Sequence, residues 1–478
     1  MRRIVKPFVI LFSAVILMAS CLSNDDNYNN IIYYDDTAIT AFSLGTLNCT
    51  VWTTSSTGED SSYVDELEGS AYDFYIDQLA REIYNPDSLP KGTDGAHVLC
   101  NISTKNGGIV GVVYKDASGN DSIVNFSSSD SIDFTEPREF RVYSFGGGSY
   151  RSYKVSVNVH KENPDSFNWH NTATLPELAS LRGGMRAVTL DGRLLVFGSD
   201  GTSTVTYATT LPDGNAWTRI ENGTALDADA YRNVITTGSA LYTISGGQVM
   251  MSADGSAWQP VSASAPRHLL GAGREKLYGI GADGLFAVSS DGGATWSADA
   301  MRGDADMMPA DNFSLACMKL GTDDEAETVI VVGTRSSDAH AEDSSAVVWN
   351  KIEEYSPYSQ QHSWLFGSED NGCRLPALTG LSMMACGDVI VAFGGRGLGT
   401  STAEPFAHIY VSEDNGLTWH SDTSYTLPEG FDNGGGDVFA ATADDDNYIW
   451  IISGTDGQVW RGRLNRLGWT ENQTSFTE

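Results

Sequence analysis

The chain has 478 residues and carries 29 Lys and Arg against 62 Asp and Glu, a net charge of −33 at pH 7. A surface this acidic repels nucleic-acid phosphate and anionic headgroups, which argues against a nucleic-acid partner. The six cysteines fit neither a disulfide framework nor a zinc pattern, and no Gly-x-Ser-x-Gly elbow, Walker loop or His-Glu-x-x-His string occurs.

Residues 1–20 run from the basic "MRRIVK" through the apolar "PFVILFSAVILM" to the small pair Ala19-Ser20 before Cys21, the layout of a secretory signal. The cysteine after that pair resembles a bacterial lipobox, although Met18 stands where Leu, Ile or Val is commoner. The resemblance implies an acylated Cys21 as the new N-terminus, its acyl chains held in a membrane by buried methylenes. Cleavage removes Arg2, Arg3 and Lys6 and no acids, leaving 26 basic and 62 acidic side chains and a net of −36. No other segment approaches the ~18 apolar residues of a spanning helix, so the expected membrane contact is the N-terminal lipid alone. Residues 21–37 open with "LSNDDNYNNIIYYDD" after Cys21, an acidic, Asn-rich flexible tether. Its start resembles the export signal that sends lipoproteins of Bacteroidetes-type bacteria to the outer face of the outer membrane. A plain solvated tail explains the same residues.

Residues 38–160 contain no internal repeat. "YKVSVNVH" places Tyr153, Val155, Val157 and Val159 on one face of a strand, with "GGGSY" as the turn before it. One helix is expected within "YVDELEGSAYDFYIDQLAREIY", ended by Asn85-Pro86. With "IDFTEPREFRVYS" the segment suggests a small β-sandwich of immunoglobulin-like size. "NPDSLPKGT" and "IDFTEPREFRVYS" also resemble the N-terminal module of an uncharacterised family of Bacteroidetes surface lipoproteins. Membership would imply a C-terminal, kelch-like propeller and no assigned activity.

Residues 161–478 are periodic. Trp169, Trp217, Trp258, Trp296, Trp364, Trp419 and Trp469 recur at intervals of 38 to 68, near the ~40–50 residues of a propeller blade. Four strands fit between successive tryptophans, as in "NVITTG", "ALYTISG", "QVMMSADG", "AWQPV" and again in "VFAATAD", "NYIWIISG", "QVWRGRL", "LGWTEN". Six expected second strands end in glycine: "LLVFG", "LYTISG", "LYGIG", "VIVVG", "VIVAFG" and "IWIISG". The expectation is therefore a mainly β protein with a six-bladed β-propeller, seven blades being the alternative. "SFNWHN" around Trp169 would be a spare outer strand that helps close the ring. Cys317 and Cys386 stand at similar places in successive units, as small buried hydrophobes.

"VSSDGGATW" and "VSEDNGLTW" repeat one pattern: Ser289, Asp291, Gly293, Thr295, Trp296, and Ser412, Asp414, Gly416, Thr418, Trp419. "SADGSAW" and "LPDGNAW" are one residue shorter. The pattern resembles the Asp-box, the hairpin between third and fourth strands of sialidase-type propellers. Ser and Asp can bond nearby amides, Gly allows positive φ, and Trp buries a large ring between sheets. A fold-forming role is expected, because a catalytic group has no reason to recur blade after blade.

Strand parity puts these hairpins on one face and the blade-to-blade and second-to-third-strand loops on the other. Candidate ligand-binding residues on that second face are Arg186, Arg232, Arg267, His268, Arg335, Arg396 and Asp437, with Asp432 in the same loop as Asp437. Guanidinium groups there could bind carboxylates bidentately. Pairing with the abundant surface acids is the competing explanation. "DDDN" and "DADMMPADN" offer oxygens for Ca²⁺ but lack EF-hand spacing, so no metal or other cofactor is expected. Sialidase strings are absent, and a carboxylate pair of the separation glycoside hydrolysis needs cannot be read from spacing. The expected function is non-catalytic binding of glycan or protein by a cell-surface lipoprotein, the alternative being a sialidase-like glycoside hydrolase or lyase on the same face.

Overall fold

A computed structural model describes residues 36–54, 60–116, 118–221, 223–321, 323–356, 359–367, 372–431 and 438–468. Cys21, the signal segment, Asp432, Asp437 and Trp469 lie outside the described residues. The chain divides after Lys161 into two compact units. Among the described residues no helix is long and apolar enough to cross a membrane.

The first unit holds a six-stranded sheet in the order Tyr75–Asp77, Glu82–Tyr84, Tyr150–Ser156, Arg138–Tyr143, Val110–Lys115, Asp121–Asn125. Its pairs are antiparallel except Glu82–Tyr84 with Tyr150–Ser156, which is parallel. Two antiparallel pairs accompany it, Ile39–Leu44 with Cys100–Thr104 and Thr46–Thr54 with Asp60–Glu68. Tyr153 and Val155 are fully buried, with Val157 and Val159 packed in the same core, as their two-residue period dictates. Cys49 and Cys100 are both free thiols.

The helix expected between Tyr63 and Tyr84 does not form. Asp60–Glu68 is instead a strand paired along its length with Thr46–Thr54, and Gly69–Ala71 is a single 3-10 turn. A Cβ at Gly69 would overlap the Gly45 carbonyl, so this close approach fixes the chain reversal. Tyr72, Phe74 and Ile76 pack on the core at every second residue, a strand period that helix-favouring Glu, Leu and Ala obscured. Asn85 ends no helix. It is buried and bonds Asn158 reciprocally: its Oδ1 accepts from the Asn158 N–H at 2.7 Å, its amide donates to the Asn158 carbonyl at 2.9 Å, and its own carbonyl accepts from the Asn158 side chain at 2.8 Å. Asn85→Ala is expected to destabilise this unit by about 2–3 kcal/mol, since it strands the buried Asn158 N–H and removes the amide's bonds to the Asn158 and Asp87 carbonyls. Chemical denaturation monitored by the unit's tyrosine fluorescence measures it.

The second unit is a β-propeller. Its sheets are, in chain order, Met185–Leu190 to Thr218–Ile220, Ile235–Thr236 to Gln259–Pro260, His268–Ala272 to Ser297–Ala298, Asp311–Leu320 to Trp364–Phe366, Ser382–Cys386 to His420–Ser421, and Phe439–Ala443 to Gln458–Leu464. The fourth sheet gains an extra edge strand, Met301–Arg302, parallel to Trp364–Phe366. First strands of consecutive sheets touch one another in a closed cycle, the sixth meeting the first. Second strands are buried on both faces, as in Leu194–Phe197, Val329–Val332 and Ile449–Ile452, which explains their continuous apolar runs. Cys386 is buried and Cys317 half-buried on the first strands of the fifth and fourth sheets, and burial pushes both thiols up.

The last sheet corrects one expectation. Of "LGWTEN", the fourth strand expected there, only Leu467 and Gly468 are described, and they belong to the 3-10 turn Asn465–Gly468. The position is taken by Phe167–Thr174, which pairs antiparallel with Gln458–Leu464 and sets Trp169 opposite Gly462. The indole lies over Gly462, where any Cβ would overlap it.

Candidate functional site

The two complete Asp-box hairpins are internally satisfied. In the first, Ser289 Oγ accepts from the Gly293 N–H at 2.9 Å and donates to Asp291 Oδ1 at 2.8 Å. Asp291 also accepts from the Thr295 N–H at 2.9 Å and the Thr295 hydroxyl at 2.6 Å, and Trp296 Nε1 donates to the Gly293 carbonyl at 3.1 Å. The bonds to Thr295 hold the Asp291 carboxyl down, to about 2. Ser412, Asp414, Gly416, Thr418 and Trp419 repeat every bond within 0.1 Å. Gly293 and Gly416 adopt φ of 86° and 85°, and each faces the preceding sheet: Val249 for Gly293, Ile330 and Val348 for Gly416. The motif thus ties a hairpin and presses it onto its neighbour. Ser412 is almost wholly buried, so Ser412→Ala is expected to cost about 1–2 kcal/mol by stranding the Gly416 N–H. Thermal melting of the variant checks it.

The central channel, about 820 Å³, is lined by first strands and by the loops around Thr334–Ser345 and Leu398–Gly399, and it also reaches Asp444 and Asp445. Neither Asp291 nor Asp414 lines it. A smaller cavity of about 230 Å³ beside the fourth sheet is bordered by Gly416, Leu417 and Trp419 and by Arg335 and Asp343.

Of the sequence candidates, Arg186, Arg232, His268 and Arg335 line the channel, whereas Arg267 and Arg396 do not. Arg186 Nη1 donates to the Arg232 carbonyl at 3.2 Å, and enclosure pushes its guanidinium down to about 10, still protonated at neutral pH. Arg232 Nε bonds the Tyr231 hydroxyl at 3.1 Å, which raises Arg232, with Asp229 and Asp311 adding to the effect. Tyr231 is fixed in turn by donating to the Gly183 carbonyl at 2.6 Å. His268 packs on Phe313 with ring centroids 5.0 Å apart, and burial, then Arg267, lowers its pKa. Arg335 is committed elsewhere: it forks onto Asp343 at 2.7 and 2.8 Å and reaches Asp306 at 3.1 Å. Pairing with acids, the competing explanation, therefore describes Arg335.

Tyr231 and Asp343 escaped the sequence reading, and Asp311 entered it only within the acidic string "DADMMPADN". Tyr231 sits in the 3-10 turn Ala230–Asn233, Asp311 opens a strand and Asp343 lies in a long loop, where spacing carries no period. Among the described residues one group of possible metal ligands, His340, Glu342 and Asp343, has a donor atom from each within 4.8 Å. Asp343 is occupied by Arg335, so an ion there would compete with a guanidinium. In the two acidic turns the carboxylates bond their own backbone. Asp304 accepts from the Asp306 N–H at 3.0 Å, and Asp444 accepts from the N–H groups of Asp446 and Tyr448 at 3.0 and 2.9 Å.

A protein-family model described as the DUF6242 beta propeller domain matches residues 163–472, and that of the DUF6242 N-terminal domain matches residues 42–157. The chain belongs to the DUF6242 family. The N-terminal match falls in the first unit and the propeller match in the second, and the DUF6242 description assigns no function. No curated protein is significantly similar to this DUF6242 chain. Similar solved structures include the calcium structure of the Trichoderma reesei carbohydrate-active enzyme of family AA12, 11% identical with a TM-score of 0.37, covering 63% of this chain and 96% of that one. YCF48 from Cyanidioschyzon merolae is 14% identical at 0.31, covering 62% and 98%. PorZ, a surface component of the type-IX secretion system of Porphyromonas gingivalis, is 13% identical at 0.35, covering 88% and 62%. At these values the likenesses carry no argument about the activity of the DUF6242 chain.

Proposed function

We propose that this protein is a non-catalytic binding or scaffold lipoprotein that engages glycan or protein through the loop face of a six-bladed propeller. In this reading Cys21 is lipidated, the protein stands on the cell surface at the outer membrane of a Bacteroidetes-type bacterium, and residues 38–160 form a sandwich-like module. The observation that carries the binding role is the channel of about 820 Å³ on which Arg186, Arg232 and His268 converge. That volume suits a small ligand or a ligand's tip. The repeated hairpins, by contrast, keep their polar groups for themselves. A glycan array run beside a panel of fluorogenic glycosides tests the reading: binding without turnover is expected. Turnover would instead favour the hydrolase or lyase alternative, and failure to bind any glycan or protein would remove the proposal.

A further inference from the structure

We propose that the channel mouth is a carboxylate-recognition site, with Arg186 as the anion's principal partner and a small, singly charged sugar acid as its ligand. This rests on the binding function proposed above and names the chemistry of that site.

The three channel arginines are in different states. Arg335 has a full carboxylate partner in Asp343 and a second acid in Asp306. Arg232 is held by Tyr231 and lies in the field of Asp229 and Asp311. Arg186 has no ion pair among the described residues, only the neutral Arg232 carbonyl at 3.2 Å. It lies half-buried in the channel wall, where desolvation works against its charge. An enclosed guanidinium is normally compensated by an anion. A protein this acidic had many acids with which to do so, and the described residues place none on Arg186. The fork of N–H donors left to it matches the two oxygens of a carboxylate.

The surroundings select the charge and size of the ligand. Asp311 lines the same channel, and Asp229 and Asp311 both act on Arg232 and His268. These acids repel a dianion such as phosphate more strongly than a monoanion. Burial lowers His268 and so favours its neutral ring, which accepts or donates a hydrogen bond without adding positive charge. One uncommitted guanidinium in a channel shared with a neutral imidazole calls for one negative charge. The cavity volume is that of a small-molecule site rather than a protein interface. His268 against Phe313 adds a ring face beside the polar groups, which suits a sugar ring.

The test compares D-galacturonate with its neutral methyl ester and with inorganic phosphate, by calorimetry on the full mature chain and on its Arg186→Gln and Arg186→Lys variants. Expected is at least tenfold tighter binding of galacturonate than of the ester, weaker binding of phosphate, loss of the acid preference in Arg186→Gln, and partial recovery in Arg186→Lys. Circular dichroism and melting confirm that the variants fold, and Arg186→Lys keeps the test valid should the glutamine variant fail to do so. Equal affinity for acid and ester, phosphate binding as tight as galacturonate, or an unchanged preference in the folded variants would overturn the site. Absence of any binding by galacturonate and phosphate would overturn it too. A positive glycan array in that case leaves the binding function standing without the anion, which separates the two failures.

Discussion

Replacing Lys351 with alanine is expected to destabilise the propeller by about 3–5 kcal/mol, the usual consequence of removing one partner of a buried ion pair. The ammonium is 1% exposed and lies 2.8 and 2.9 Å from the two oxygens of Asp299, whose side chain is fully buried, and 2.6 Å from Glu353 Oε1. Lys276 takes the other Glu353 oxygen at 2.5 Å, Tyr278 donates to Glu353 at 3.1 Å and Trp364 Nε1 donates to Asp299 at 2.8 Å. Lys276 and Tyr278 come from the third sheet, Lys351, Glu353 and Trp364 from the fourth, so the network joins neighbouring sheets. Without Lys351, Asp299 and Glu353 remain buried with too little positive charge. Urea unfolding measures the cost. Because the cost arises from the stranded acids, Lys351→Met combined with Asp299→Asn should be less damaging than the sum of the two single changes.

The network also predicts the acid limb of the stability curve. Burial pushes the Glu353 carboxyl up, but the bonds from Lys276 and Lys351 outweigh it, and the group titrates below its ordinary value. A depressed carboxylate contributes its stability above the unfolded-state value of ~4.3 and loses it as pH falls through the folded value. Unfolding followed at pH 6 and at pH 3 should therefore show a smaller loss in Glu353→Gln than in the parent chain.

The sequence already held a trace of this network. In "VVWNKIEE" the two-residue period puts Lys351 and Glu353 on the face of Val347 and Trp349, and all four are buried there. Their charges alone argue for solvent, whereas strand parity places them in the core. The same physics made the propeller legible, since its repeated Trp-tipped hairpins and glycine-ended strands are local and periodic. The first unit was harder, because the pairing of Asp60–Glu68 with Thr46–Thr54 overrides a helix-favouring composition. The channel was legible only in part. Arg186, Arg232 and His268 sit at or near first-strand starts and were found by strand parity, which also put forward Arg267 and Arg396. Their actual partners, Tyr231 for Arg232 and Asp343 for Arg335, depend on loop conformation, which leaves no periodic signature.

Trp450→Ala is the second change expected to cost about 3–5 kcal/mol, through the cavity it would leave. Trp450 belongs to the second strand of the last sheet, is fully buried, and packs in one cluster with Leu194, Val196 and Ala187 of the first sheet. A Cβ on Gly214, at the hairpin of the first sheet, would overlap the indole, so the ring fills the seam where the last sheet meets the first. Loss of the indole should loosen that seam specifically, and limited proteolysis should then cut near Phe167–Thr174 before the middle sheets. Trp450→Phe separates volume from hydrogen bonding. It keeps most of the packing but removes the Nε1 donor that Asp444 Oδ2 accepts at 2.8 Å. Burial already raises the Asp444 carboxyl, against the opposing bonds from Trp450, Tyr448 and Asp446. Losing one of those bonds raises it further. A carboxyl whose folded value lies above its unfolded value destabilises the fold once ionised, and protonation relieves the penalty. The phenylalanine variant should therefore lie closer to the parent in stability at pH 5 than at pH 8, while the alanine variant, whose loss is mainly a cavity, should stay far below it at both.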